Sequence, residues 1–213
     1  EQKGLSRVCL GGTYPSKHIG EYFERMHQNA VRMFRDIGIR NGVLMLSAFY
    51  ENGEFYVYDT GFRLQGEAPH LLMKAVHGFD QREMLIRFAL TGSEGEIDLS
   101  EQDDPYFRGR WAATLWVLLR EGTIANIDGL EDIGSDSRVV ANIQRLSEGD
   151  AVRPEWIGTE KQVMTRLYLV CESKRELADT LKEYMAKIKV YDTHGNSMAL
   201  HGFDVDSALE LTQ

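Results

Sequence analysis

Between residues 22 and 37 the apolar side chains of Tyr22, Phe23, Met26, Ala30, Met33, Phe34 and Ile37 recur every three or four positions. That spacing predicts an amphipathic helix, and Gly38 is placed to end it. Residues 43–50 and 55–60 are rich in β-branched and aromatic side chains and flank Glu51-Asn52-Gly53. They predict a β-hairpin, because Asn-Gly accepts the positive φ that such turns need. Pro69 suits the first turn of a short helix ending near Gly78. Asp80-Gln81-Arg82-Glu83 reads as a capping box opening a helix through Met84, Leu85, Phe88 and Ala89, with Gly92 as its stop.

Residues 93–104 carry six acids (Glu94, Glu96, Asp98, Glu101, Asp103, Asp104) and no base. Such a block repels itself, so it predicts a boundary. Beyond it, Trp111–Leu119 and short segments punctuated by Gly122, Gly129, Gly134 and Gly149 predict a small β-rich region. Val163–Cys171 reads as a strand. Ser173-Lys174-Arg175-Glu176 is a second capping box, followed by Leu177, Leu181, Tyr184, Met185 and Ile188 on one face. Lys189–Asp192 reads as a closing strand. The pattern is α+β, in two parts.

Composition narrows the functional classes. The chain has 213 residues, with 24 basic and 33 acidic side chains and a formal charge of −9. This balance argues against a nucleic-acid backbone or an anionic membrane as the main partner. The longest apolar runs, residues 42–50 and Trp111–Leu119, are nine residues each, about half of the roughly 20 needed to span a bilayer. Cys9 and Cys171 make no C-x-x-C pair and no disulfide framework, which predicts a reduced, cytoplasmic setting in which both are small buried hydrophobes. No charged-then-apolar leader opens the chain. It starts on Glu1 rather than Met, the expectation for a fragment. The six histidines show no zinc-binding spacing. Met26, Met33, Met84 and Met185 fall on helical apolar faces and are expected in the core, with Trp111 and Trp116 packing the second part. Gly11-Gly12-Thr13 and His194-Gly195-Asn196 read as ordinary turns.

Candidate chemistry concentrates in residues 58–69, Y-D-T-G-F-R-L-Q-G-E-A-P. Strand alternation places Asp59, Gly61 and Arg63 on one face. A carboxylate there suits Mg²⁺, and the arginine suits a phosphate or carboxylate held by two hydrogen bonds. Gln65 and Glu67 follow at the same spacing and would continue the polar row. The same pattern also fits a hairpin end bearing a solvent-exposed Asp–Arg pair.

Residues 42–92 resemble the C-terminal half of the ATP-grasp fold in biotin carboxylases and carbamoyl phosphate synthase large chains. The likeness lies in E-N-G-E-F-Y on a hairpin, an acidic strand ending in Arg, R-L-Q-G-E-A-P, and a helix leading to G-F-D. The biotin carboxylase family has R-x-Q-x-E-x-P and then G-V-D there. The region beyond resembles the domain that follows the grasp in those enzymes. The resemblance implies a C-terminal half-grasp of antiparallel sheet and helices over 1–92, an acidic linker over 93–104, and a small β-rich α+β domain over 105–213. It also implies an ATP-dependent ligase using ATP and Mg²⁺, with an upstream half of the same protein holding the nucleotide and a homodimer as one possible assembly. Such an enzyme turns a small carboxylate into an acyl phosphate and couples it to an amine or other nucleophile.

Carried over residue by residue, Asp59 matches the second-strand metal acid, one carbon shorter, and Arg63 matches the arginine near the reacting phosphate. Gln65 and Glu67 match residues beside the bicarbonate site. Ser47 stands where the family has its first-strand Glu ligand, and Gly61 where it has Asn. No counterpart of the next-domain arginine of biotin carboxylases lies around Trp111–Leu119, which speaks against biotin carboxylation. These departures open the alternative of a degenerate ATP-grasp scaffold that binds a ligand or partner without catalysis. The family's metal geometry needs Ser47 on the Asp59 face, which in a regular hairpin requires a three-residue turn pairing Tyr50 with Glu54.

Overall fold

The computed structural model describes residues 8–211. The chain forms two compact units, one comprising Ser16–Arg108 and the other joining the segments that end at Pro15 and begin at Gly109. This corrects the expected division in two places. Gly11-Gly12-Thr13 is not a turn but part of strand β1 (Gly11–Tyr14), which belongs to the second unit. The acidic stretch is not a linker but lies inside the first unit. Asp98 accepts a hydrogen bond from the Ser100 N–H, and Asp104 accepts from the N–H groups of Tyr106 and Arg108. Carboxylates occupied in this way order the backbone instead of loosening it.

In the Ser16–Arg108 unit, helices α1 (Ile19–Arg25) and α2 (His27–Asp36) replace the single helix expected, because the backbone at Met26 leaves helical geometry at φ −122°. Strands β2 (Met45–Glu51) and β3 (Glu54–Gly61) form the hairpin. Helix α3 (His70–His77) follows Pro69 and ends at a left-handed Gly78. Helix α4 (Gln81–Thr91) is capped by Asp80, whose carboxylate accepts from the Arg82 N–H, and ends at a left-handed Gly92. A last short helix, α5 (Leu99–Gln102), lies in the acidic stretch. Met33 is 47% exposed, so the apolar periodicity of α2 overstated its burial.

The second unit is built on β4 (Trp111–Leu119), buried on both faces, which is why it reads as an unbroken apolar run. It continues through β5 (Gly122–Asp128), α6 (Leu130–Gly134), β6 (Val139–Gln144), β7 (Ala151–Val152), β8 (Val163–Cys171), α7 (Lys174–Lys187), β9 (Lys189–Asp192), β10 (Ala199–Leu200) and α8 (Val205–Leu209). The antiparallel sheet runs β1-β4-β8-β6, with β10 also on β4, and a second sheet runs β7-β5-β9. The core gathers Leu115, Val117, Leu167, Leu169, Leu177, Leu181 and Tyr184 from β4, β8 and α7. The α7 cap forms as the sequence predicts: Ser173 Oγ accepts from the Glu176 N–H at 3.1 Å. Glu176 reaches back to the Glu172 N–H at 2.9 Å. The indole of Trp116 is buried under the Arg166 guanidinium, 3.9 Å from the ring centroid. Cys171 is buried, and loss of hydration pushes its thiol up to about 11. Cys9 is exposed, contrary to expectation, with its thiol donating to the Gly11 carbonyl. No helix among the described residues is long and apolar enough to cross a membrane.

Candidate functional site on the β2–β3 hairpin

The hairpin turn has two residues, not three. Asn52 and Gly53 both take positive φ, at 52° and 82°, and Glu51 pairs with Glu54. This corrects the expected pairing of Tyr50 with Glu54, and the reason is local: Asn-Gly fits the tight turn whose twist matches the strands. Carried on regularly, that register would set Leu46 against Asp59 and turn Ser47 to the opposite face. A β-bulge intervenes. Ala48 pairs with Val57 and Ser47 with Asp59, leaving Tyr58 as the extra residue. Ser47 and Asp59 are therefore directly opposed, closer than the diagonal relation a three-residue turn would give.

Alternation then fills the two faces. One presents Tyr50 and Phe55, whose rings lie 4.8 Å apart, with Tyr50 stacked on His18 at 3.8 Å and Phe55 edge-on to Tyr22 at 6.3 Å. Arg25 fastens the turn to α1 by donating to the Gly53 carbonyl at 2.7 Å. The other face holds Ser47, Asp59 and Gly61 together with Phe49 and Tyr58, stacked at 4.6 Å and both well exposed. The alternation that assigns Ser47 to this face assigns Phe49 as well, whereas Tyr58 joins it only through the bulge.

Arg63 lies past the end of β3, yet its stem reaches this face: a Cβ built on Gly61 would meet its Cγ at 3.5 Å and its Nε at 3.6 Å. Its Nη1 donates to the Leu64 carbonyl at 2.9 Å, and the side chain is exposed. Gln65 and Glu67 do not continue the strand row as expected. The strand ends at Gly61, and the chain turns, with the Ala68 N–H donating to the Gln65 carbonyl at 3.1 Å. The Asp59 carboxylate makes no hydrogen bond or ion pair among the described residues.

The donor set is thus one carboxylate, one hydroxyl and one guanidinium. Among the described residues no three His, Cys, Asp or Glu side chains group to hold a metal. A protein-held pair of Mg²⁺ ions does not fit this face. A single Mg²⁺ carried by phosphate oxygens and waters does, because that ion commonly takes only one or two carboxylates from the protein.

No protein-family model and no curated protein sequence matches the chain. Solved structures do. Phosphoribosylglycinamide synthetase from Anaerococcus prevotii superposes with a TM-score of 0.72 at 13% identity, over 87% of this chain and 46% of that one. L-amino acid ligase from Bacillus licheniformis gives 0.68 at 20% identity, over 85% and 44%. The biotin carboxylase domain of 2-oxoglutarate carboxylase from Hydrogenobacter thermophilus, solved with MgADP, ADP and bicarbonate, gives 0.65 at 14% identity, over 89% and 39%. The chain has the fold of part of an ATP-grasp ligase and spans less than half the length of these structures.

Proposed function

We propose that this chain forms one wall of an ATP-dependent ligase of the carbamoyl phosphate synthase type, which activates a carboxylate as an acyl phosphate and couples it to an amine or similar nucleophile. The observation that carries the reading is the common face of Ser47, Asp59 and Arg63 in a chain of this fold. A carboxylate oxygen attacks the terminal phosphorus of ATP, the bond to ADP breaks, and the amine then attacks the acyl carbon and expels phosphate. Arg63 stabilises the charge gathering on the transferred phosphoryl group and on the tetrahedral intermediate. Asp59, with the Ser47 hydroxyl opposite, would hold one Mg²⁺, which neutralises phosphate charge when bound. Phe49 and Tyr58 offer a planar apolar surface beside it, suited to stacking. Gln65 and Glu67, on the following turn, orient the acceptor. The remaining phosphate and nucleotide contacts belong to the upstream half of the ligase, so the chain alone binds ATP weakly.

The test is carboxylate-dependent ADP release by the full-length protein. Arg63→Ala is expected to lower kcat by roughly 10²–10³ with little change in KM, the scale for one group acting mainly in the transition state. Turnover within a few-fold of wild type would remove Arg63 from the mechanism. Ser47 and Gly61 favour a second reading, a scaffold that binds without catalysis. It predicts nucleotide binding with no carboxylate-dependent ADP release.

A further inference from the structure

Within the Ser16–Arg108 unit, a cleft of about 350 Å³ lies among residues 40–44, helix α4 and the acidic stretch. None of the hairpin residues discussed above lines it. That volume is at the lower end of the roughly 300–1,000 Å³ typical of small-molecule sites. The apolar part of its lining includes Phe79, buried at 3% exposure, with Met84, Leu85 and Phe88 along one side of the α4 region, Leu99 from α5, and Val43 and Leu44 from the facing segment.

The charged groups on this cleft are mismatched in an informative way. Arg40 lines it, but its Nη1 donates to the backbone carbonyls of Arg35 and Ile39, and no ion pair joins it to either acid of the lining. Those acids are Glu94 and Asp103. Unlike those of Asp98 and Asp104 in the same stretch, their carboxylates make no hydrogen bond or ion pair among the described residues. Loss of hydration raises the Asp103 carboxyl from its ordinary value, against the opposing pull of the nearby His77 ring. The wall that carries Arg40 is shaped by Gly42, at φ 124°, where a Cβ would come within 2.3 Å of the Phe62 ring. No other residue could hold that backbone so close.

Opposite charges that share a cavity without meeting, over an apolar lining, are complementary to a ligand bearing both charges and an apolar body. We propose that this cleft binds a free α-amino acid with an apolar side chain. Its ammonium group pairs with Asp103 and Glu94, its carboxylate with the Arg40 guanidinium, and its side chain lies against Phe79, Met84 and Phe88. The site does not depend on the ligase reading, and its test needs no ATP, so the two fail separately.

The experiment is isothermal calorimetry on the chain with L-phenylalanine as probe. Saturable one-site binding is expected, weakened about tenfold or more by Asp103→Asn and by Arg40→Gln, each removing one charge–charge contact. Both residues are solvent-accessible, so the variants retain the fold, which far-UV circular dichroism checks. Phenethylamine, lacking the carboxylate, should bind more weakly and ignore Arg40→Gln. Hydrocinnamate, lacking the ammonium group, should bind more weakly and ignore Asp103→Asn. No saturable binding by the wild-type chain would overturn the proposal, as would unchanged phenylalanine affinity in both variants.

Discussion

Asp80 condenses several physical roles into one side chain. It caps α4, accepts from Arg82 and Lys74, and is only 9% exposed. The hydrogen bond from the Arg82 side chain, reinforced by the Arg82 N–H and Lys74, holds its carboxyl far below the usual carboxylate range. A folded-state value depressed below the unfolded value of about 3.9 contributes stability that is complete above that value and is lost as pH falls toward the folded one. Asp80→Asn keeps a competent cap but removes the charge. It should therefore lower Tm at neutral pH and flatten the fall in Tm between about pH 4 and pH 2. Thermal unfolding followed by circular dichroism across that range checks both. A variant whose curve runs parallel to wild type would show that Asp80 has no such linkage. Asp136, held down in the same direction by Arg138, leaves a residual acid dependence of the same sign.

At the level of elements, legibility followed the range of the forces involved. The ends of α3, α4 and α7 were readable because caps and left-handed glycines act within a few residues. The hairpin was readable for the same reason. β1 was not, since Gly11-Gly12-Thr13 becomes a strand only by pairing with Leu115, Thr114 and Ala113 of β4, a hundred positions away in sequence. The bulge at Tyr58 was equally silent, because Asp-Thr-Gly carries no mark of it and the cross-strand register decides. Turn and bulge together still bring Ser47 opposite Asp59, so a ligand at position 47 would be within reach of the metal site proposed above. Ser47→Glu with Gly61→Asn should therefore rebuild a three-donor set. Gly61 has ordinary backbone geometry, and its Cβ would meet only the tip of Met45 closely, at 3.3 Å. Mn²⁺ binding, followed by electron paramagnetic resonance of the free ion, is expected to tighten about tenfold or more in the double variant, since hard cations respond to added carboxylate and carbonyl oxygens. Equal affinity in both proteins would mean that the two positions do not converge on one ion.

Across the whole molecule, apolar burial is unevenly shared, and stability should be too. In the Ser16–Arg108 unit the buried apolar residues are Ala30, Leu72, Val76, Phe79 and Phe107 among those described, whereas β4 alone buries Ala112, Ala113, Leu115, Trp116, Val117, Leu118 and Leu119. The same unit leaves Ile37, Phe49, Tyr58 and Leu90 between 64% and 80% exposed. Full burial of one such side chain is worth about 1.5–3 kcal/mol, so the difference amounts to many kcal/mol before entropy is counted. Native-state hydrogen exchange should accordingly find the slowest amides in β4, β8 and α7, opening only with the second unit as a whole. The amides of α1, α2 and the hairpin should exchange through smaller, local openings. Leu115 is 2% exposed in the core that β4, β8 and α7 share. Leu115→Ala should cost about 2–5 kcal/mol. It should also lower protection across all three elements by one common amount. Loss confined to the neighbours of position 115 would show instead that the sheet and α7 open separately, and that the core joining them is not a single cooperative unit.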